Sequence, residues 1–426
     1  MSRPSTLEQW LAHLATLHPQ TIALGLERVR TVYERLAIAF ACPVITVAGT
    51  NGKGSTCALL ERMLVAGAYR VGLYTSPHLL RYNERVRIAG SEVTDEAMCA
   101  AFAAVEGARE DIALTYFEFG TLAAFWLFAR SDLDALVLEV GLGGRLDAVN
   151  IVDADVAIVT AVAIDHVAYL GDTREAIGFE KAGVYRAGRV AICADRNPPN
   201  SLLEHARSIG ARLLRIGVDY DFSAQPGQWS YRGPGGARHG LPHPALRGAV
   251  QLGNAATALT ALDALRDRLP LSMGAVREAL VDIELPGRFQ VLPGRPVQVL
   301  DVAHNPQAAQ MLADNLGVMG FHPETWAVFG IMADKDIDGV IAALQPRVDR
   351  WLVATLPPPR GASAMVLRAR LEAAGVAGTA IREFDGPMSA YVAARSAVSE
   401  ADRIVVLGSF LTVAAALSAS SSARPA

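Results

Sequence analysis

Val44-Ile45-Thr46-Val47-Ala48-Gly49-Thr50-Asn51-Gly52-Lys53-Gly54-Ser55-Thr56 is the stretch on which the fold turns. An apolar, β-branched run, a glycine-rich turn and a helix-forming segment over 56–66 read as a buried strand, a phosphate loop and a helix. Glycines allow successive backbone N–H groups to face one anion, and the helix start adds partial positive charge. Lys53 supplies a full charge. Thr50, Asn51, Gly52, Lys53, Gly54 and Ser55 are therefore the expected nucleotide contacts. The spacing departs from the common phosphate loop, since Gly54 separates Lys53 from the Ser55 hydroxyl. A glycine turn that only joins strand to helix is the alternative; lysine, hydroxyls and flanks together argue against it.

On either side of this loop, apolar runs at 71–74, 136–140, 156–160 and 190–193 alternate with helical stretches at 95–109 and 119–128. Such alternation implies a doubly wound α/β sheet whose ligands sit at the carboxyl ends of its strands. A polar, Gly/Pro-rich stretch at 221–243 reads as a hairpin region or an excursion, followed by helices at 254–265 and 274–281. Residues 287–296 read as a linker between a first domain, 1–286, and a second, 297–426. The second repeats the α/β pattern with strands at 297–301, 326–331, 351–355 and 404–407. The small, polar residues 418–426 read as a frayed end.

A chain of 426 residues with 51% apolar and 19% charged residues has material for two ordinary globular cores. A formal net charge of -4 gives no general attraction to nucleic acid or anionic membrane, so a nucleotide must be held by local dipoles and cations. Cys42, Cys57, Cys99 and Cys193 form no metal-type pair and fit a reducing compartment. The polar N-terminus is not a secretory signal, and the apolar runs at 122–128 and 404–417 are too short to span a bilayer. The expectation is a cytoplasmic monomer that binds small molecules.

Three segments end expected strands with potential ligands: Tyr74-Thr75-Ser76-Pro77-His78, Leu138-Glu139-Val140-Gly141-Leu142-Gly143-Gly144-Arg145-Leu146-Asp147, and Ile164-Asp165-His166. A parallel sheet brings such ends to the edge that carries the phosphate loop, and Mg²⁺ favours oxygen ligands there. Each segment alone has a plainer reading: Glu139 paired with Arg145, His166 as a structural group. Glu180-Lys181-Ala182-Gly183 reads as a glycine-capped helix end with two solvated charges. Asp301-Val302-Ala303-His304-Asn305-Pro306 reads as a strand end with a helix cap. Tyr116, Phe117 and Glu118 offer aromatic faces and fixed polar groups suited to a flat heteroaromatic ring.

The phosphate loop resembles that of the Mur ligase superfamily of ATP-dependent, amide-forming ligases. Gly54 after Lys53 resembles its folylpolyglutamate synthase branch. The resemblance implies a P-loop ATPase domain with a doubly wound, mostly parallel sheet and a smaller Rossmann-like α/β C-terminal domain. It implies magnesium on Ser76, Glu139 and His166, and CO₂-derived carboxylation of Lys181, whose carbamate ligates a second magnesium. Such an amine must be buried enough to react in its neutral form. Lys53, Lys181 and His166 form the implied catalytic set; Asn254, Arg288 and Asp301 are implied ATP contacts. Ile22, Ala23, Leu24, Thr115, Tyr116, Phe117 and Glu118 are implied to line a pteridine pocket, with Leu146, Asp147 and Ala148 adding contacts. His304 and Ser409 are implied near the incoming glutamate. Ala23 and Leu411 depart from the family, which more often has Asp and His there.

The reaction so implied joins L-glutamate to dihydropteroate and to tetrahydrofolate or its polyglutamates, with ATP and Mg²⁺. A monofunctional folylpolyglutamate synthase and a peptide-forming Mur ligase are the nearest rivals. A nucleotide-binding switch is a more distant one.

Overall fold

The computed structural model describes residues 4–20 and 22–422. The chain forms two compact units. The first comprises the residues up to Ala163, Leu170–Ala245 and Leu252–Ile283; the second comprises Ile164–Tyr169, Leu246–Gln251 and the chain from Glu284 onward.

The first unit is built on an eight-stranded sheet: β1 (Val44–Ala48), β2 (Val71–Tyr74), β3 (Val86–Ile88), β4 (Ser91–Glu92), β5 (Ala135–Glu139), β6 (Val156–Val159), β7 (Val190–Cys193) and β8 (Arg212–Arg215). Their spatial order is β4-β3-β2-β5-β1-β6-β7-β8, parallel from β2 to β8 with β3 and β4 antiparallel at one edge. β1 and β5 are buried along their whole length, as strands covered by helices on both faces must be. β3, β4 and β8 escape the sequence reading because they are short and carry polar or charged side chains near the sheet margins.

The polar stretch at 221–243 is a three-stranded antiparallel meander, β9 (Asp221–Gln225), β10 (Gln228–Gly233) and β11 (Gly236–Leu241). It packs on the helix Val250–Ala264 through groups spaced three residues apart. The Tyr231 hydroxyl donates to Asp263 at 3.0 Å and meets Thr260 at 3.0 Å, and Tyr220 meets Thr257 at 3.1 Å. Asp263 is 7% exposed, forms an ion pair with Arg238, and accepts from the Gly235 N–H at 3.1 Å.

The second unit is a six-stranded sheet: β12 (Gln290–Leu292), β13 (Val297–Asp301), β14 (Thr325–Phe329), β15 (Arg350–Ala354), β16 (Ile381–Phe384) and β17 (Arg403–Leu407). The order is β12-β13-β17-β14-β15-β16, parallel except for β12. Residues 287–296, expected as a linker, thus contribute an edge strand. Phe329 and Trp351 meet edge-on, 5.6 Å apart, in this unit's core. Of the end expected to fray, residues 418–422 continue the helix Phe410–Ser422, and 423–426 lie outside the described residues. Among the described residues no helix is long and apolar enough to cross a membrane.

Asp263→Ala leaves Arg238 and the Tyr231 hydroxyl without their acceptor. It should lower stability by about 3 kcal/mol, the scale for breaking a buried pair. A thermal unfolding midpoint within a degree of wild type would show that the meander is held by other means.

Candidate active site

The phosphate loop is fixed by the neighbouring strand. The Thr50 N–H donates to the Ala161 carbonyl at 2.7 Å, and the Thr50 hydroxyl links to both the carbonyl and the N–H of Ala163 at 3.1 Å. Thr160 donates its hydroxyl to the Asn51 carbonyl at 2.7 Å. Gly49 has φ +143°, and a side chain there would overlap the Thr160 hydroxyl. Gly52, at φ +90°, caps the helix Lys53–Ala66, which begins three residues earlier than expected and so takes Lys53, Gly54 and Ser55 into its first turn. The Lys53 ammonium donates to the Gly49 and Thr50 carbonyls at 3.1 and 3.4 Å, over the loop. A Cβ on Gly52 would lie 2.9 Å from Asn254 Oδ1, so the expected ATP contact Asn254 stands against the loop.

Glu139 ends β5 opposite Val47 of β1, on the loop's edge of the sheet, and is 4% exposed. Its Oε2 accepts from the Ser76 N–H at 3.0 Å. Two of the three expected magnesium ligands are therefore adjacent beside the phosphate loop. Arg145 pairs with Glu180 at 2.8 Å rather than with Glu139. A carboxylate and a serine hydroxyl are hard oxygen donors of the kind Mg²⁺ takes alongside phosphate oxygens. No cluster of three or more His, Cys, Asp or Glu of metal-binding geometry occurs among the described residues; the expected donor set contains only two such residues.

Lys181 ends the helix Arg174–Ala182 and is 3% exposed, so the reading of residues 180–181 as two solvated charges is corrected. The loop after β5 packs on this helix end: Arg145 N–H donates to the Glu180 carbonyl at 2.8 Å, and a Cβ on Gly144 would lie 2.9 Å from the Lys181 carbonyl. Lys181 is thereby placed against the loop that leaves Glu139.

The three segments expected to hold the acceptor meet in the first unit. Arg28 bridges two of them, donating to the Ala23 carbonyl at 2.9 Å and to Glu118 Oε1 at 2.7 Å. The Gly25 N–H reaches the Leu146 carbonyl at 3.4 Å. Ile22, Ala23 and Leu24 are half-buried, and Thr21 lies outside the described residues. Thr115 and Glu118 form a capping box that starts the helix Tyr116–Phe128. Glu118 is thus held by Arg28 and by the Thr115 N–H at 2.8 Å. Phe117 covers Gly141 and meets the Tyr74 ring at 6.1 Å; Tyr116 meets Tyr82 edge-on at 5.8 Å. Asp147 is buried, accepts from the Leu142 and Val149 N–H groups at 2.9 and 3.0 Å, and caps the short turn Ala148–Ile151.

In the second unit, β13 and β17 end side by side, Asp301 opposite Leu407. Asp301 accepts from the Phe289 and Ala303 N–H groups at 2.9 and 2.8 Å; burial pushes its carboxyl up, opposed by Arg288. The Arg288 guanidinium lies 5.1 Å over the Phe410 ring. Asn305 caps the helix Pro306–Val318, and the Ser409 hydroxyl accepts from the Leu411 N–H at 3.2 Å. Asp165 and His166 group with this unit rather than with Ser76 and Glu139. Asp165 accepts from Lys335 at 2.6 Å and from Asn305 at 3.3 Å, with His304 Nε2 at 3.6 Å. Burial opposes its ionisation, yet His304, His166 and Lys335 hold it well below the usual carboxylate range. His166 has φ +52°, an uncommon backbone for a non-glycine residue, and its Nε2 lies 3.3 Å from the Lys335 ammonium.

Arg28, Thr160, Asp165 and Lys335 were not singled out from sequence. For Lys335 a signal existed: of 39 basic residues only three are lysine, namely Lys53, Lys181 and Lys335.

Taken together, a parallel sheet with a lysine-bearing phosphate loop, a buried carboxylate at its side and a second α/β unit define an ATP-dependent ligase of the Mur type. Residues 47–226 match the Mur ligase middle domain and residues 287–410 the Mur ligase, glutamate ligase domain. The chain is 47% identical over 411 residues to the dihydrofolate synthase/folylpolyglutamate synthase of Escherichia coli K12, covering 96% of this chain and 94% of that protein. The solved structure of E. coli FolC in complex with DHPP and ADP superposes with a TM-score of 0.94 at 45% identity over the full length of both chains. A bifunctional folylpolyglutamate synthase/dihydrofolate synthase with Mn, AMPPNP and L-glutamate bound gives 0.91 at 46% identity, over 99% of this chain and 100% of that one. The chain belongs to the dihydrofolate synthase/folylpolyglutamate synthase family.

Burial raises the Asp147 carboxyl to about 6, opposed by the Leu142 and Val149 N–H groups and by Lys53. Its folded pKa lies above the unfolded value, so the native state binds the proton more tightly. The carboxyl's contribution to stability is fullest below about pH 4 and declines until about pH 6. Asp147→Asn should therefore gain stability relative to wild type across that window, by a few kcal/mol at most, and level off above it. A difference in unfolding free energy that stays flat from pH 4 to 7 would show that the side chain is ionised throughout.

Proposed function

We propose that this protein joins L-glutamate to dihydropteroate, forming dihydrofolate, and to reduced folates, forming folylpolyglutamates, with ATP as the energy source. The observation that carries the reading is the adjacency of the Ser76–Glu139 pair and the Lys53 loop at one sheet edge, in a chain whose bifunctional relatives match along nearly its whole length. Match over a whole chain at this identity favours the bifunctional activity over the monofunctional one. The Ala23 and Leu411 departures concern single contacts.

The acceptor carboxylate attacks the γ-phosphorus of ATP, the bond to the β-phosphate oxygen breaks, and an acyl phosphate and ADP result. The glutamate amine then adds to the acyl carbon, loses its proton, and expels inorganic phosphate to leave an amide. No protein nucleophile is required. The loop amides and the Lys53 ammonium receive charge that shifts through the phosphoryl group, and their geometry is set before substrate arrives. Magnesium would be held by Ser76 and Glu139, with His166 the third assigned ligand, and would supply further neutralisation of phosphate charge. Carboxylation of the buried Lys181 amine by CO₂ would convert a cation into an anionic oxygen ligand beside the loop that leaves Glu139. In the second unit, Arg288 and Asp301 are assigned to ATP, and His304 and Ser409 to the incoming glutamate.

Phosphate release from ATP should require both dihydropteroate and L-glutamate, and also proceed with tetrahydrofolate and L-glutamate. Lys53→Ala and Glu139→Ala should each reduce turnover at least a hundredfold, the scale of losing one preorganised charge-stabilising group, with circular dichroism unchanged. Near-native turnover in either variant would remove the phosphate-loop site from the mechanism; release without glutamate would point to an ATPase instead.

A further inference from the structure

Arg85 closes the short turn Tyr82–Arg85 ahead of β3 and is 8% exposed. Among the described residues, the groups recorded against its guanidinium are His78, Tyr74, Tyr82 and Tyr116, none of them an acid. Nε donates to His78 Nδ1 at 2.8 Å, which requires that nitrogen to carry its lone pair. The Tyr74 hydroxyl lies near the guanidinium, and the rings of Tyr82 and Tyr116 lie 5.1 and 5.7 Å from the guanidinium carbon. Among the described residues no carboxylate pairs with it, although most arginines that form an ion pair in this chain are more exposed. The neighbouring Glu84 is committed elsewhere: its carboxylate accepts from the Leu79, Leu80 and Arg81 N–H groups, each at 2.7 Å. Arg403, also buried without an acid, spends its guanidinium on the Leu316 carbonyl and the Thr325 hydroxyl, an ordinary structural arrangement.

A cation taken out of water without an anion is costly, and two cation–π contacts offset only part of that cost. The deficit is repaid when a ligand brings the anion. The location says which ligand. Tyr116 opens the helix that carries Phe117 and Glu118, and the Arg85 carbonyl accepts from the Thr75 N–H at 2.9 Å, one residue from Ser76. Arg85 therefore stands between the segments assigned to the acceptor and the edge where the phosphate loop lies. We propose that the Arg85 guanidinium, oriented through Nε by His78, binds a carboxylate of the acceptor in a two-point, planar contact. The proposal rests on the ligase reading above. Two acceptor carboxylates have this chemistry: the one that is phosphorylated, and the neighbouring α-carboxylate that a glutamylated folate also carries.

The test compares equilibrium binding of each acid with its amide. The probes are dihydropteroate and its carboxamide, and tetrahydrofolate and its α-carboxamide, on wild type, Arg85→Gln and Arg85→Lys. Wild type should prefer the acid of at least one pair by about tenfold or more, the scale of a charge-assisted hydrogen bond. Arg85→Gln should bring that preference to near unity and Arg85→Lys should keep part of it, while ADP binding and the thermal midpoint stay close to wild type. Loss in the dihydropteroate pair assigns Arg85 to the reacting carboxylate; loss only in the tetrahydrofolate pair assigns it to the α-carboxylate. Discrimination unchanged in both pairs overturns the proposal. So does equal weakening of acid and amide, which marks a purely structural arginine. Failure of the wild-type protein to bind either acceptor would instead count against the ligase reading.

Discussion

The first unit's chemistry depends on one constraint: a loop that must stay open to an anion yet not move. A glycine at φ +143° makes the turn possible, but glycine alone would leave it loose. Thr160 and the Ala161–Ala163 segment supply the rigidity, since they bond the Asn51 carbonyl, the Thr50 N–H and the Thr50 hydroxyl. The Asn51 carbonyl is satisfied by the Thr160 hydroxyl, and the Gly49 and Thr50 carbonyls by the Lys53 ammonium. The same logic recurs at Glu139, whose carboxylate holds the Ser76 N–H in place. Positions are fixed by main-chain bonds first, and side-chain chemistry is laid over them.

Both units repeat one architectural choice. Parallel strands end together, so a turn after each strand adds one polar group to a shared edge: Gly49–Gly52, Ser76 and Glu139 in the first, Asp301, His304 and Ser409 in the second. Topology therefore does what no single motif could, collecting residues more than sixty positions apart in sequence into one neighbourhood. The acceptor segments follow the same rule by a different means, because Arg28 ties residues 23 and 118 together with one guanidinium.

What was legible in the sequence divides along physical lines. Buried parallel strands announce themselves as apolar runs, so β1, β2, β7 and β13 were read with their observed bounds. The edge strands β8 and β16, and the short β3 beside the edge strand β4, carry charged residues and gave no such signal. The phosphate loop was readable because backbone conformation forces its glycines. The burial of Lys181 was not: a Glu-Lys pair at a helix end has the same composition whether it meets solvent or the Gly143–Gly144 loop, and only the fold decides. Asp165 is a similar case, since its partners Asn305 and Lys335 lie at 140 and 170 positions' separation.

The scarcity of lysine carries the last step. A chain that uses arginine for almost every positive charge and has three lysines in 426 residues has no general need for the ammonium group. Arginine is the better residue for exposed ion pairs and planar contacts, so an amine is required only where a compact charge or a reactive nitrogen is. Lys53 reaches back over a tight loop to two carbonyls of its own turn, a space that a rigid guanidinium fork does not enter. Lys181 is 3% exposed, and on the carboxylation proposed above it is the amine that would react with CO₂. Lys335, with its side chain 6% exposed, fits a single ammonium between the Asp165 carboxylate and the His166 ring. Three different demands for an amine thus fit the three positions, and arginine would meet none of them in the same way.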